Sequence, residues 1–257
     1  MIEGEKTRKR ILKQIGEYLL LAFGIPLLCV LLCKTNDNQV IQFLLYGIEG
    51  ASPTIAAIIT VLANDRRNGL KKYLCDKYLS NLDLRICILG FLVPFLLLTA
   101  SKAIGIFLGD AYIYPSPITM RKMMIISWAL LAEELGWRGF LQEKLESVFP
   151  ERYIAPFTGI IWAFWHYHFV LSGSMHIPVL AFTIGCIFES YGYFTITKLA
   201  KGNIVPASIW HFTGNLMFNL YRFDPQWHNS NNSFYWIATM FYAANILLFV
   251  IYKKRKL

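Results

Sequence analysis

Charged side chains are scarce in this chain. Asp, Glu, Lys and Arg make up 16% of its 257 residues, whereas about 25% is usual in soluble domains. Apolar residues make up 56%, more than a soluble fold of this size can bury in one core. They fall in blocks of roughly twenty, the helix length that crosses a bilayer. The composition therefore excludes an ordinary cytosolic enzyme and a disordered chain, and it indicates a polytopic, all-α membrane protein.

Cysteine is also sparse, and its pattern carries little information. The chain has five Cys, with no CxxC pair and no Cys/His metal spacing, which excludes a disulfide scaffold and a zinc ribbon. We also find no internal repeat, low-complexity run or long linker. A single domain over residues 1–257 is expected.

Hydropathy and segment length predict about eight transmembrane helices. Basic residues are dense in every second connection and at both ends of the chain. By the positive-inside rule both termini are then cytoplasmic, as an even number of spans requires. Basic residues at the cytoplasmic membrane surface thus account for the net charge of +9, and no nucleic-acid partner is expected. The predicted spans are 15–33, 43–63, 86–108, 121–142, 153–171, 177–197, 204–221 and 233–252.

The connection at residues 64–84 has the pattern of an amphipathic helix. Its apolar residues share one helical face, and Lys77 lies among the basic residues that occupy the rest. This pattern predicts a short helix in the cytoplasmic membrane interface, with a solvated loop as the alternative. The apolar face consists of Leu70, Tyr73, Leu74, Tyr78 and Leu82.

Ionisable residues inside the predicted spans form the first candidate site. Glu133 and Glu134 are adjacent in an otherwise apolar helix, where two unpaired carboxylates are costly. Arg138 lies four residues after Glu134, so the two share a face and can pair. Glu133 is rotated away from that partner, and a buried unpaired Glu suits a general base. The alternative is a structural ion pair with one Glu that reaches toward the membrane surface.

Two further candidates follow on later spans. His166 lies in an aromatic stretch, where imidazole is either an acid–base group or a satisfied core residue. His168 faces elsewhere, near the outer interface. His211 and Asn215 lie one turn apart and can both donate to one developing negative charge, or else join helices as polar contacts. For two other intramembrane acids, Glu49 and Glu189, the sequence suggests no partner.

At these residues the sequence resembles the family of CAAX prenyl proteases and bacteriocin-processing enzymes. The family pattern is EExxxR, then an aromatic residue with His four positions later, then HxxxN, on successive core helices. The match is strongest over 121–221, the motif-bearing core. It departs from the pattern only in having Trp where Phe is common. The matching residues are Glu133, Glu134, Arg138, Trp162, His166, His211 and Asn215.

The resemblance implies an eight-helix intramembrane endopeptidase whose active site faces the cytoplasm. Its substrate would be a protein or peptide at the membrane, cut near a C-terminus as in CAAX processing, or a small peptide in bacteriocin self-immunity or peptide maturation. The bacteriocin and maturation roles fit a prokaryotic cell membrane, because bacteria generally lack protein prenylation. Neither the substrate nor the oligomeric state follows from the sequence.

The residues and the resemblance together suggest a mechanism in which Glu133, helped by His166, deprotonates a water. His211 and Asn215 then hold the oxyanion, while Arg138 fixes Glu134. Glu133, His166 and His211 could also be the three protein ligands of a divalent metal, most plausibly zinc. A metal-free reaction on the same residues stays open.

The same buried residues are also compatible with other functions. A proton-coupled transporter or immunity channel could use the same buried Glu and His residues, although the sequence shows no repeat of broken spans. An inactive membrane scaffold is disfavoured because all three motifs are complete. The HExxH, GxGD and GxSG patterns of other membrane proteases are absent.

Overall fold

Helices account for all the regular secondary structure that the computed structural model describes, namely residues 2–107, 109, 115–173, 179–221, 243 and 245–254. No strand occurs in those residues. The expected all-helical class is therefore confirmed.

Nine α-helices are named here in chain order among the described residues. A π-helical segment and a 3-10 turn interrupt the α-helices in the middle of the chain. The α-helices are α1 (Ile2–Lys34), α2 (Gln39–Gly50), α3 (Ser52–Tyr78), α4 (Leu84–Phe107), α5 (Met120–Ala132), α6 (Glu143–Glu146), α7 (Ile154–Leu171), α8 (Val179–Leu199) and α9 (Val205–Leu220). The π segment is Leu135–Gln142 and the 3-10 turn is Glu151–Tyr153.

The second predicted span, 43–63, is broken rather than straight. Helix α2 ends at Gly50, and the chain bends by 63° before Ser52–Asp65 continues it. Pro53 lies in the first turn of α3, where its missing N–H costs no helical hydrogen bond. The bend therefore lies at a favourable helix start.

Among the described helices, two are long and apolar enough to cross a membrane, Gly4–Lys34 and Leu84–Phe107. A third crossing results if the bent pair is counted as one span. Most of the eighth predicted span, 233–252, lies outside the described residues. The eight-span count and the cytoplasmic termini stay predictions.

The predicted interfacial helix at 64–84 is wrong as a separate element. Most of that segment continues α3, which runs unbroken to Tyr78. Leu70 and Tyr73 pack on the protein core, and Lys77 is buried against Glu143. Contact with the rest of the molecule therefore explains part of the apolar face, whereas Leu82 is exposed.

The core that surrounds the candidate site is rich in aromatic residues. It joins α1, α3, the π segment, α7, α8 and α9. Helices approach closely where small residues permit it: a Cβ on Gly90 of α4 would lie 2.4 Å from the carbonyl oxygen of Pro206 in α9. The large, fully buried side chains of the core include Tyr18, Trp137, Trp165, Tyr193 and Trp210.

Candidate active site

The two adjacent glutamates lie at a break in the fourth predicted span, 121–142. Helix α5 ends at Ala132, and the backbone at Glu133 departs from α-helical geometry with a φ of −121°. The following residues, Leu135–Gln142, form the π segment. The expected continuous α-helix is therefore wrong here. Irregular turns of this kind recur at functional sites because they redirect side chains.

Neighbouring elements hold the π segment in place. Gly136 packs on the start of α3 so closely that a Cβ there would lie 2.4 Å from the backbone C and O of Pro53. The Tyr73 hydroxyl donates a 2.8 Å hydrogen bond to the Leu135 carbonyl. Burial raises the pKa of that hydroxyl well above its usual range, so it stays a donor. The break is thus fixed by packing from α3.

Glu134 binds two basic side chains through one oxygen. The Arg138 Nη1 donates to Glu134 Oε1 at 3.1 Å, which confirms the predicted pair. His211 Nδ1 lies 2.8 Å from the same oxygen, a contact that the sequence did not suggest. All three side chains are buried. Glu134 therefore joins the π segment to α9.

The Arg138 guanidinium is enclosed by aromatic rings. Its Cζ lies 3.8 Å from the ring centre of Tyr193 and 4.9 Å from that of Trp162. Its Nε and Nη2 have no hydrogen-bond partner among the described residues. Cation–π attraction from both rings compensates part of the lost hydration.

The two carboxylate oxygens of Glu133 have different neighbours. Its Oε2 accepts hydrogen bonds from two indoles, at 2.9 Å from Trp162 Nε1 and at 3.2 Å from Trp137 Nε1. Its Oε1 faces His211, whose Nε2 lies 3.9 Å away. The sequence pointed to Trp162 only as an aromatic ring and did not suggest either indole as a donor. One oxygen is thus fixed, and the other faces the imidazole.

His166 is less closely tied to this cluster. Its Nδ1 lies 2.8 Å from the Trp162 carbonyl oxygen, and its ring packs against Phe182. Within the described part of the chain, no hydrogen bond or ion pair joins it to Glu133 or His211. When Nδ1 donates to the carbonyl, Nε2 is left as the acceptor nitrogen.

Asn215 lies one turn after His211 on α9, as the sequence predicts for residues four apart. Its backbone carbonyl accepts a 2.7 Å hydrogen bond from Asn219 Nδ2. The Asn215 side chain is half-buried. Its carboxamide lies on the same helix as the imidazole but contacts neither glutamate in the hydrogen bonds of the described residues.

A family comparison matches this region. The family described as type II CAAX prenyl endopeptidase Rce1-like matches residues 116–217. Over these residues the chain is therefore similar to the Rce1-like family. Among curated proteins, none matches the chain. The Rce1-like region contains every predicted site residue: Glu133, Glu134, Arg138, His166, His211 and Asn215.

The apolar helices and the Rce1-like match support an integral membrane protein that is similar, over residues 116–217, to a family of endopeptidases. A membrane peptidase acts on a protein or peptide at the bilayer. The family description names neither the roles of individual residues nor the substrate of this chain.

The predicted metal ligands do not form a ligand set in this arrangement. Among the described residues, no group of three His, Cys, Asp or Glu side chains is placed to hold a metal ion. Glu133 and His211 are neighbours, but His211 uses Nδ1 for Glu134. His166 has no polar contact with either of the other two. Zinc binding and a metal-free reaction therefore stay alternative predictions.

A second buried acid–base pair lies near the bend between α2 and α3. Glu49 Oε1 is 3.0 Å from His168 Nε2, and both side chains are buried. The sequence suggested no partner for Glu49 and placed His168 near the outer interface. The structure thus gives Glu49 a partner, because a side chain of α2 and a side chain of α7 meet here. No local spacing could have revealed a contact between residues so distant in the chain.

Glu189 also lies closer to the Rce1-like site than the sequence indicated. Its Oε1 is 3.8 Å from the position that a Cβ would occupy on Gly214. Gly214 lies between His211 and Asn215 on α9. The acid therefore faces the helical turn that carries the third motif.

Proposed function

We propose that this chain is an intramembrane endopeptidase in which Glu133 activates the water that attacks the scissile peptide bond. The observation that carries the proposal is the buried contact between Glu133 and His211. Glu133 Oε2 is held by two indoles, and Oε1 faces His211 Nε2 at 3.9 Å. A positioned carboxylate next to a positioned donor is what general-base hydrolysis requires.

In the proposed reaction, Glu133 Oε1 accepts a proton from water while the water oxygen bonds to the carbonyl carbon. The electron pair of the C=O bond moves to oxygen and forms the oxyanion of a tetrahedral intermediate. When this intermediate collapses, the C–N bond breaks. The proton held by Glu133 then passes to the leaving amine, so the products are a carboxylic acid and an amine.

His211 and Asn215 are the proposed donors to the oxyanion. A protonated imidazole donates from both nitrogens, so His211 can bind Glu134 through Nδ1 and the oxyanion through Nε2. The 2.8 Å contact with Glu134 supports this role because it fixes the orientation of the ring. The Asn215 carboxamide, one turn further along α9, supplies the second donor.

His166 completes the proposed set as a second acceptor for the attacking water. Its Nδ1 contact with the Trp162 carbonyl supports this role, because it leaves Nε2 free to accept. Glu134 and Arg138 are positioning residues in this mechanism. They share the oxygen contact that orients His211.

The substrate is proposed to be a membrane-associated protein or peptide, cleaved from the cytoplasmic side. The family description supports a CAAX-type C-terminus, while self-immunity against a bacteriocin and maturation of a peptide signal are the other two tasks. A proton-coupled carrier is not favoured by the family.

The proposal is tested with purified protein in detergent, where no membrane gradient exists. Fluorogenic peptides with a cysteine three residues before the C-terminus, with and without a farnesyl group, serve as probes. We expect cleavage by the wild type and a loss of at least ~100-fold in kcat for Glu133→Gln, with unchanged thermal stability. Glu5→Gln, an exposed carboxylate paired with Lys9, is the control. Full cleavage by Glu133→Gln would overturn the proposal.

A further inference from the structure

Two indole N–H groups converge on a single oxygen of Glu133. The Trp162 Nε1–Oε2 distance is 2.9 Å and the Trp137 Nε1–Oε2 distance is 3.2 Å. Both indoles are almost completely buried, with exposed fractions of 5% for Trp162 and 0% for Trp137. Both donors are therefore shielded from solvent. The orientation of the carboxylate depends on these two bonds.

The two donors come from different elements. Trp137 belongs to the π segment that carries on from the glutamates, whereas Trp162 projects from α7. Trp162 thus links Glu133 to the helix that also carries His166. Since Oε2 receives both N–H groups, Oε1 is left to face His211.

The Trp162 side chain supplies a hydrogen-bond donor as well as an aromatic ring. A Phe at this position would supply a similar aromatic face but no N–H. The Trp162 ring has edge contacts with Tyr193 and His211, at centroid distances of 5.6 and 5.8 Å, and Phe can approximate them. The hydrogen bond to Glu133 is the property that only the indole provides.

We propose that Trp162, assisted by Trp137, is a positioning residue that fixes the Glu133 carboxyl group with Oε1 directed at the reacting water. Hydrogen bonds to the charged form of an acid stabilise that form. They also stop the carboxylate from rotating. This inference rests on the proposed function, in which Glu133 is the general base.

The variant that tests the inference is Trp162→Phe, which removes the N–H and keeps an aromatic ring. We expect kcat to fall about tenfold with KM within about twofold, because the lost bond orients the base rather than the substrate. The acid limb of the pH–rate profile should move upward by about one pH unit, because the ionised carboxylate loses a donor.

Trp165→Phe is the matched control on the same helix. Its Nε1 donates to Ser52 Oγ and to the Ala22 carbonyl, and not to Glu133. We expect this variant to lose stability while its pH–rate profile keeps the wild-type midpoint. An equal pH shift in both variants would show a general packing effect and overturn the inference. A wild-type kcat and profile for Trp162→Phe would do the same.

Infrared difference spectra separate this inference from the proposed function. The Glu133 carboxyl band is assigned by subtracting the spectrum of Glu133→Gln, and it is titrated without substrate. We expect Trp162→Phe to raise the titration midpoint, and Trp137→Phe to raise it less because its bond is longer. This result supports the indole role even if the wild type cleaves no peptide. If neither variant folds, a wild-type Glu133 band at the frequency of a carboxyl group without hydrogen bonds overturns the inference.

Discussion

At the scale of single residues, Glu134 joins two basic side chains of the buried site. One of its oxygens binds both Arg138 and His211. Removing its charge would leave a buried guanidinium without a counter-charge and an imidazole without its orienting acceptor. Glu134 is therefore expected to matter for folding and for activity, whereas Glu133 is proposed to act in the chemical step.

We expect Glu134→Gln to lower both the yield of folded protein and the rate of cleavage. Breaking a buried ion pair by removing one partner costs about 3–5 kcal/mol. The double variant Glu134→Gln with Arg138→Leu should recover part of the stability, because no unpaired cation remains. Its activity should stay low, because His211 still lacks its carboxylate. Thermal unfolding in detergent and the peptide assay measure the two effects.

The roles of the two glutamates can be distinguished by comparing variants. If Glu133→Gln destabilises the protein while Glu134→Gln folds normally and is inactive, the assignments are reversed. If the double variant recovers full activity, His211 does not depend on Glu134.

At the scale of elements, the break after α5 determines where the glutamates point. The π segment is packed on Pro53 at the start of α3, and Gly136 is the residue that permits this contact. Tyr73 of α3 supports the same turn through the Leu135 carbonyl. The bend between α2 and α3 and the break after α5 therefore form one packed unit.

We expect Gly136→Ala to impair both stability and cleavage. The added Cβ would lie 2.4 Å from backbone atoms of Pro53, so the π segment must shift, at a cost of about 1–3 kcal/mol. The shift would move Glu133 and Glu134 away from His211. Thermal unfolding and kcat are the measurements.

Gly16→Ala is the control for this substitution, because a Cβ there meets nothing within 4 Å. It should leave both quantities near their wild-type values. A fully active and stable Gly136→Ala variant would show that the π segment does not need its close contact with Pro53.

At the scale of the whole molecule, the distribution of basic residues predicts the orientation in the membrane. Four basic residues close the chain at positions 253–256, and the positive-inside rule places such an end in the cytoplasm. We expect a reporter fused after Leu257 to indicate the cytoplasm. The same reporter placed after Asn36, in the connection between the first two predicted spans, should indicate the outer side. The reverse pattern would invert the proposed access to the site.

Whether cleavage requires a metal is tested on the whole purified protein. We expect cleavage to persist within about twofold in a strong chelator, since the proposed reaction uses Glu133 as the base and no metal-bound water. Native mass spectrometry should then find the protein without metal. Loss of activity that zinc restores would instead support Glu133, His166 and His211 as ligands.

Much of the site could be predicted from sequence because its motifs are local. The Glu134–Arg138 pair follows from a spacing of four residues, and His211 and Asn215 share a helical face for the same reason. The all-helical class follows from composition and the length of the apolar blocks. These features depend only on neighbours in the chain.

The tertiary structure alone decided the contacts between distant segments. His211 binds Glu134, Trp162 binds Glu133, and Glu49 meets His168 only because α7, α9 and the bend before α3 pack around the π segment. The break at Glu133 likewise arises from packing on Pro53. Sequence patterns determine which side chains share a helical face, whereas the packing of helices against one another determines which of those faces meet.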